Sequence, residues 1–306
     1  MKLKKILVPV DFSEYSKKAL EYAFLWGDEF GADITLLHVN TVFHAQHKLP
    51  EFADTFLKIA DAVEQKIHLW MKKHHRKYRS GQLDIEMVQG ASAAKEILKY
   101  IANHSFDLVV MGTHGRTGSK HILLGSVAEK VSRLSPVPVL TVHRDAKALE
   151  VKNILVPIDL DDYAKKTVDQ ALALANIFDA RIHLLHVIER IIPDSLNLTK
   201  TDMRKFFELD PDAKKHATEL MLDLVGDDIR PGMHLQLVEI GDPQTEIIRY
   251  ADKNKIDLIM MATRGFSKFD YFWSWGSISE KVVRHANCPV LVIRQTVLAG
   301  ITQSNQ

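Results

Sequence analysis

An aspartate that ends an apolar run and a glycine-bearing segment far downstream are the residues best suited to chemistry. Asp11 closes the run Ile6-Leu7-Val8-Pro9-Val10, and the later segment reads Met111-Gly112-Thr113-His114-Gly115. Nine residues separate Gly115 from Gly125, which is followed by Ser126 and Val127. Glycine lets backbone approach phosphate oxygens with no Cβ in the way. A helix starting near Gly125-Ser126 would aim free N–H groups, and the positive end of its dipole, at an anion. Asp11 could then bond a ribose hydroxyl or hold a metal on the phosphates. The same spacing also suits a loop that needs glycine only to turn. It is not a Walker loop, because Gly118-Ser119-Lys120 has the wrong order.

The chain carries this arrangement twice. Lys5-Ile6-Leu7-Val8-Pro9-Val10-Asp11 returns as Asn153-Ile154-Leu155-Val156-Pro157-Ile158-Asp159, an offset of 148 (153 − 5). Leu36-Leu37-His38-Val39 returns as Leu184-Leu185-His186-Val187. A period of this size is a whole domain rather than a solenoid repeat. The second copy reads Met261-Ala262-Thr263-Arg264-Gly265, then ten residues, then Gly276-Ser277. Alanine replaces the first glycine, and six of the ten residues in 266–275 are aromatic. Asp159, Gly276 and Ser277 remain, so this site reads as altered rather than erased. The aromatic loop either fills its own pocket or docks a partner or apolar ligand.

Other reactive side chains form weaker patterns. His44 and His47, and His74-His75, lack a cysteine or carboxylate that would complete a zinc site. Lys72 to Lys77 is basic and suits a helix C-terminus better than a nucleic-acid patch. His38 and His186, at strand ends, suit backbone bonding. Cys288, the lone cysteine, precedes a proline and a strand and is expected to be buried and inert. No nucleophile–base pair or paired carboxylate is identifiable by spacing.

The elements that must position Asp11 and the glycines follow from periodicity. Ile6–Val10, Asp33–Val39, Leu83–Val88, Leu108–Gly112 and Pro138–Val142 read as strands. Ser13 can cap a helix with apolar Leu20, Ala23, Phe24 and Gly27 on one side. Residues 51–78 read as a long amphipathic helix, and 93–102 and 126–134 as two more. The second half repeats the pattern, with a break around Pro193 and Asp210-Pro211. Strands alternating with helices imply parallel sheets. The expected domains are 1–145, with the intact motif, and 151–296, with the degenerate one, joined by a polar segment. Composition is ordinary for a globular chain, at 46% hydrophobic and 26% charged. A net charge of +1 gives no field toward nucleic acid or membrane. The apolar run near the start is too short for a signal peptide or a span, so a cytoplasmic location is expected.

Gly112-x-x-Gly115 with Gly125-Ser126, the opening Ile6-Leu7-Val8-Pro9-Val10-Asp11 and Pro136-Val137-Pro138-Val139-Leu140 resemble the universal stress protein family. The resemblance covers both halves and implies a tandem protein. It implies two flavodoxin-like α/β domains with strand order 3-2-1-4-5. It implies ATP as ligand, with Mg or Mn carried on its phosphates. Asp11 would then face the ribose or the metal, and Val39 the adenine, with Pro9, Val10 and Met111 beside them. Gly112, His114, Gly115, Gly125, Ser126 and Val127 would line the phosphates and ribose. Relatives dimerise through their last strands, so Val137–Val142 and Val290–Ile293 are expected to pair within the chain, with room for a further homodimer. The leading functional expectation is a stress-response regulator or sensor. The alternatives are a slow ATPase or phosphotransferase, and an interaction module using residues 266–275.

Overall fold

In the computed structural model the described residues are 2–41, 61–62, 65, 69–70, 78–114, 125–143, 146, 150–188, 211–226, 233–238, 242–263 and 277–294. The chain divides into two compact units, Lys2–Leu149 and Glu150–Gln306. The first contains β1 (Lys5–Pro9), α1 (Glu14–Phe30), β2 (Asp33–Asn40), β3 (Leu83–Gln89), α2 (Ala93–Asn103), β4 (Leu108–Gly112), α3 (Ser126–Leu134) and β5 (Val139–Val142). Its strands are parallel and lie in the order β3-β2-β1-β4-β5. The second contains β6 (Asn153–Pro157), α4 (Ala164–Phe178), β7 (Arg181–Val187), α5 (Pro211–Val225), β8 (His234–Val238), α6 (Pro243–Lys253), β9 (Leu258–Thr263), α7 (Ser277–His285) and β10 (Val290–Arg294). Its order is β8-β7-β6-β9-β10, again parallel.

Sequence explains these elements locally. Ile6, Leu7 and Val8 of β1, and Leu108, Val109 and Val110 of β4, have no exposed surface, as helices on both faces of a parallel sheet require. The Ser13 side chain accepts the Ser16 N–H and caps α1. Gly31 ends that helix at φ +64, a left-handed position that costs glycine little. Asp179 ends α4 at φ +50 in the equivalent place, and aspartate is among the residues that tolerate it. Ala19, Leu20, Ala23, Phe24 and Gly27 form the buried stripe of α1.

A carboxylate clamp recurs at the start of each first strand. Asp107 Oδ2 accepts the N–H groups of Lys4 at 2.7 Å and Lys5 at 3.0 Å. Asp257 Oδ2 accepts those of Lys152 at 3.0 Å and Asn153 at 2.9 Å. These bonds tie the strand before which each aspartate stands to its neighbour in the sheet.

Within the long helix expected over 51–78, Asp61, Ala62, Gln65, Leu69 and Trp70 are helical, and the other positions before Tyr78 lie outside the described residues. So do His44, His47, His74, His75, the basic run, the break near Pro193 and the C-terminal tail. Among the described residues no helix is long and apolar enough to cross a membrane.

Candidate nucleotide site

β1 is flanked by β2 on one side and β4 on the other, so the strand order reverses between β1 and β4. In an open α/β sheet that reversal leaves a crevice at the carboxyl ends of the two strands. A cavity of about 330 Å³ occupies it. Pro9, Val10 and Asp11 line it from the end of β1, and Val39 from the end of β2. Met111 and Gly112 line it from the end of β4, and His114 from just beyond that strand. Gly125, Ser126 and Val127 close it from the start of α3. Segments remote in sequence meet because their strands are adjacent. Gly115, Gly265, Gly276 and the aromatic loop 266–275 lie outside the described residues.

The α3 end of the cavity suits an anion. Gly125 is the N-cap residue, and as a glycine it offers no side chain to cap the helix. The Gly125 N–H donates to the Thr113 carbonyl at 2.7 Å, which pins the helix start to β4. The N–H groups and the dipole of a helix N-terminus favour a negative group. At the other wall Asp11 Oδ1 accepts the Ser13 N–H at 3.1 Å, which fixes the carboxylate beside the cavity. Phe12, next in the chain, is left-handed at φ +67, and Leu160 repeats this at φ +53 after Asp159. Non-glycine residues enter that region at a cost, so the turn after each aspartate is held by its surroundings.

His38 is backbone-bonded, as its strand-end position suggested. Its Nδ1 donates to the Val10 carbonyl at 2.8 Å, and His186 Nδ1 does the same to Ile158 at 2.8 Å. The His38 ring also lies 5.0 Å from the Phe12 ring and lines the cavity. Several cavity residues were not foreseen from the sequence. Ala93 and Ile97 face it from the first turns of α2, Ser16 from α1, and Thr41 from beyond β2. The spacing of Ala93 and Ile97 at i and i+4 placed them on one helix face, but nothing local said that this face meets a cavity rather than core.

Phosphate-borne magnesium or manganese fits Asp11 only as an outer hand. Among the described residues no three His, Cys, Asp or Glu side chains gather into a metal-binding group. A cation at Asp11 would take its remaining ligands from phosphate oxygens and water, the usual arrangement for magnesium on a nucleotide.

The second unit departs at the same place. Ala262 occupies the β9 position that Gly112 holds in β4, each opposite its own last strand at Ile293 and Val142. α4 begins at Ala164, whereas α1 begins at Glu14, the counterpart of Asp162. Asp161 Oδ1 accepts the Tyr163 N–H at 2.9 Å, and Asp159 is exposed. Cys288, on the turn ahead of β10, is half-buried as a residue while its thiol is buried, as expected. Desolvation first, then Asp252 and Asp257, push its thiol up to about 12, so it is a poor nucleophile.

Two parallel α/β units, the first with a cavity at the switch between β1 and β4, define a duplicated doubly wound α/β fold. The Universal stress protein family model matches residues 2–143 and again 150–294, so the chain belongs to the universal stress protein family, as two tandem copies. Family membership connects it with the stress response. A universal stress protein of Methanocaldococcus jannaschii is 34% identical over 146 residues, covering 47% of this chain and 84% of that one. One from Thermus aquaticus is 34% identical over 145 residues, covering 47% of this chain and 98% of that one. A crystal structure of a universal stress protein from Archaeoglobus fulgidus shares the fold, with a TM-score of 0.70 at 23% identity over 96% of this chain and all of that one (100%).

Proposed function

We propose that residues 1–145 form an ATP-binding domain and that the chain acts as a nucleotide-dependent regulator or sensor in the stress response. One observation carries the reading: the cavity at the β1/β4 switch joins a helix start with glycine, Gly125, at its N-cap to a fixed carboxylate at Asp11. In this reading the phosphates lie toward Gly112, His114, Gly125 and Ser126. Asp11 takes the ribose hydroxyls, or a cation on the phosphates, and Val39 offers backbone groups to the adenine. The volume falls in the range of small-ligand pockets. Residues 151–296 keep the fold with an altered site, because Ala262 adds a Cβ and the segment before Gly276 is one residue longer and rich in aromatic rings.

Isothermal titration with ATP and magnesium, with mass spectrometry of nucleotide released from the denatured protein, tests this. One ATP per chain is the expected stoichiometry. No heat and no co-purified nucleotide defeats the proposal. Two equal sites per chain defeats the division of labour between the domains. Co-purified ADP in place of ATP would instead favour slow hydrolysis.

A further inference from the structure

His114 is 8% exposed where it lines the cavity, and its ring is held from several directions. Its Nδ1 lies 3.1 Å from the Thr113 hydroxyl. The His143 ring stands 6.0 Å away at 61°. The Tyr15 ring packs 4.8 Å away, tilted by 40°. Tyr15 belongs to the first turn of α1, and backbone contact sets its place. A Cβ added to Gly112 would fall 2.7 Å from both the carbonyl carbon and the Cβ of Tyr15. Glycine at the end of β4 therefore lets the start of α1 close down on the strand, and the helix carries the tyrosine ring onto His114.

We propose that Tyr15 is a positioning residue whose ring holds His114 at the anion end of the cavity, so that it sets affinity for the phosphate chain rather than for the nucleoside. This rests on the nucleotide reading above. A buried imidazole packed against an aromatic ring keeps one rotamer, and a binding group gains from being fixed before the ligand arrives. The second copy provides an internal comparison. It retains a tyrosine, Tyr163, but has Ala262 for Gly112 and Arg264 for His114. There Tyr163 stands outside the helix, as its N-cap residue at φ −97 and ψ −9. The ring to be held is absent, and so is the glycine that admits the closer helix start.

The test compares ATP and adenosine binding by titration calorimetry for the full chain and its Tyr15→Phe, Tyr15→Ala, His114→Ala and Tyr15→Ala/His114→Ala variants. Tyr15→Ala should weaken ATP about three- to tenfold, the size of one aromatic contact, and leave adenosine within about twofold. Tyr15→Phe should bind both as the wild type does. In the His114→Ala background, Tyr15→Ala should cost nothing further. In the nucleotide-free protein, the His114 ring resonances should shift in Tyr15→Ala and stay in Tyr15→Phe. Unchanged ATP affinity in Tyr15→Ala overturns the proposal. So does an equal loss of ATP and adenosine, a Tyr15→Phe variant as weak as Tyr15→Ala, or additive losses in the double variant. A wild-type chain that binds no ATP would refute the functional reading itself, while the resonance shifts would still report whether Tyr15 holds His114.

Discussion

His38 Nδ1 donates to the Val10 carbonyl at 2.8 Å and so joins the end of β2 to the residue before Asp11. A carbonyl only accepts, so the bond fixes the proton on Nδ1 whenever the ring is neutral. His186 and Ile158 repeat the device at 2.8 Å. The two histidines thus hold the strand ends from which Asp11 and Asp159 depart.

Replacing His38 by alanine should destabilise the first unit by about 1–3 kcal/mol, the cost of stranding a buried carbonyl, with further loss from the cavity left by the ring. Urea denaturation would measure it. His186→Ala should act by a similar amount in the second unit. A loss under about 0.5 kcal/mol in both would show that the carbonyls find other partners.

Gly112→Ala should weaken ATP binding and destabilise the chain by about 1–3 kcal/mol, because the new Cβ is driven into the backbone of Tyr15 at 2.7 Å. Circular dichroism melts and ATP titration on the same sample give both effects. The substitution makes the first copy resemble Ala262, so α1 should start later in the variant. A variant with the wild-type melting point and ATP affinity would count against the close helix start.

His183 should make the second unit acid-sensitive. The residue is 6% exposed, its Nδ1 lies 3.0 Å from the Tyr250 hydroxyl, and its ring stacks on His234 at 4.6 Å. Burial first, then His234 and Arg181, lower its folded value from 6.5 to about 4. The unfolded chain therefore binds the proton more readily. Stability from this group is fully present above about pH 6.5, and it declines as pH falls toward 4. Unfolding measured at pH 7.5, 6 and 5 should show this decline in the wild type. The decline should be smaller in His183→Phe, and equal pH profiles for the two would contradict it.

Asp107→Ala and Asp257→Ala should each cost about 1–3 kcal/mol, since each carboxylate accepts two backbone N–H groups at the start of a first strand. The sites lie in different units, so the double variant should show the sum. Hydrogen exchange at Lys4, Lys5, Lys152 and Asn153 would locate the loss. Unchanged protection there would mean the clamp does not hold the strand starts.

The sequence by itself determined the duplication, the alternation of strands and helices, and the parallel sheet. Each of these is a local or periodic property: apolar runs such as Ile6–Val10, the Ser13 cap, and the stripe of α1. It also marked Asp11, Gly112, His114 and Gly125, because glycine and charge at the ends of apolar runs stand out without any knowledge of contacts. Tertiary structure alone decided that the Gly112 backbone abuts Tyr15, that Tyr15 reaches His114, and that Ala93 and Ile97 of α2 border the cavity. It also put His183 against His234 and Tyr250, where burial changes its protonation. These relations join segments distant along the chain, and their distances depend on how helices settle on the sheet. Packing fixes that settling to within a methyl group, and no residue pattern within one segment encodes it.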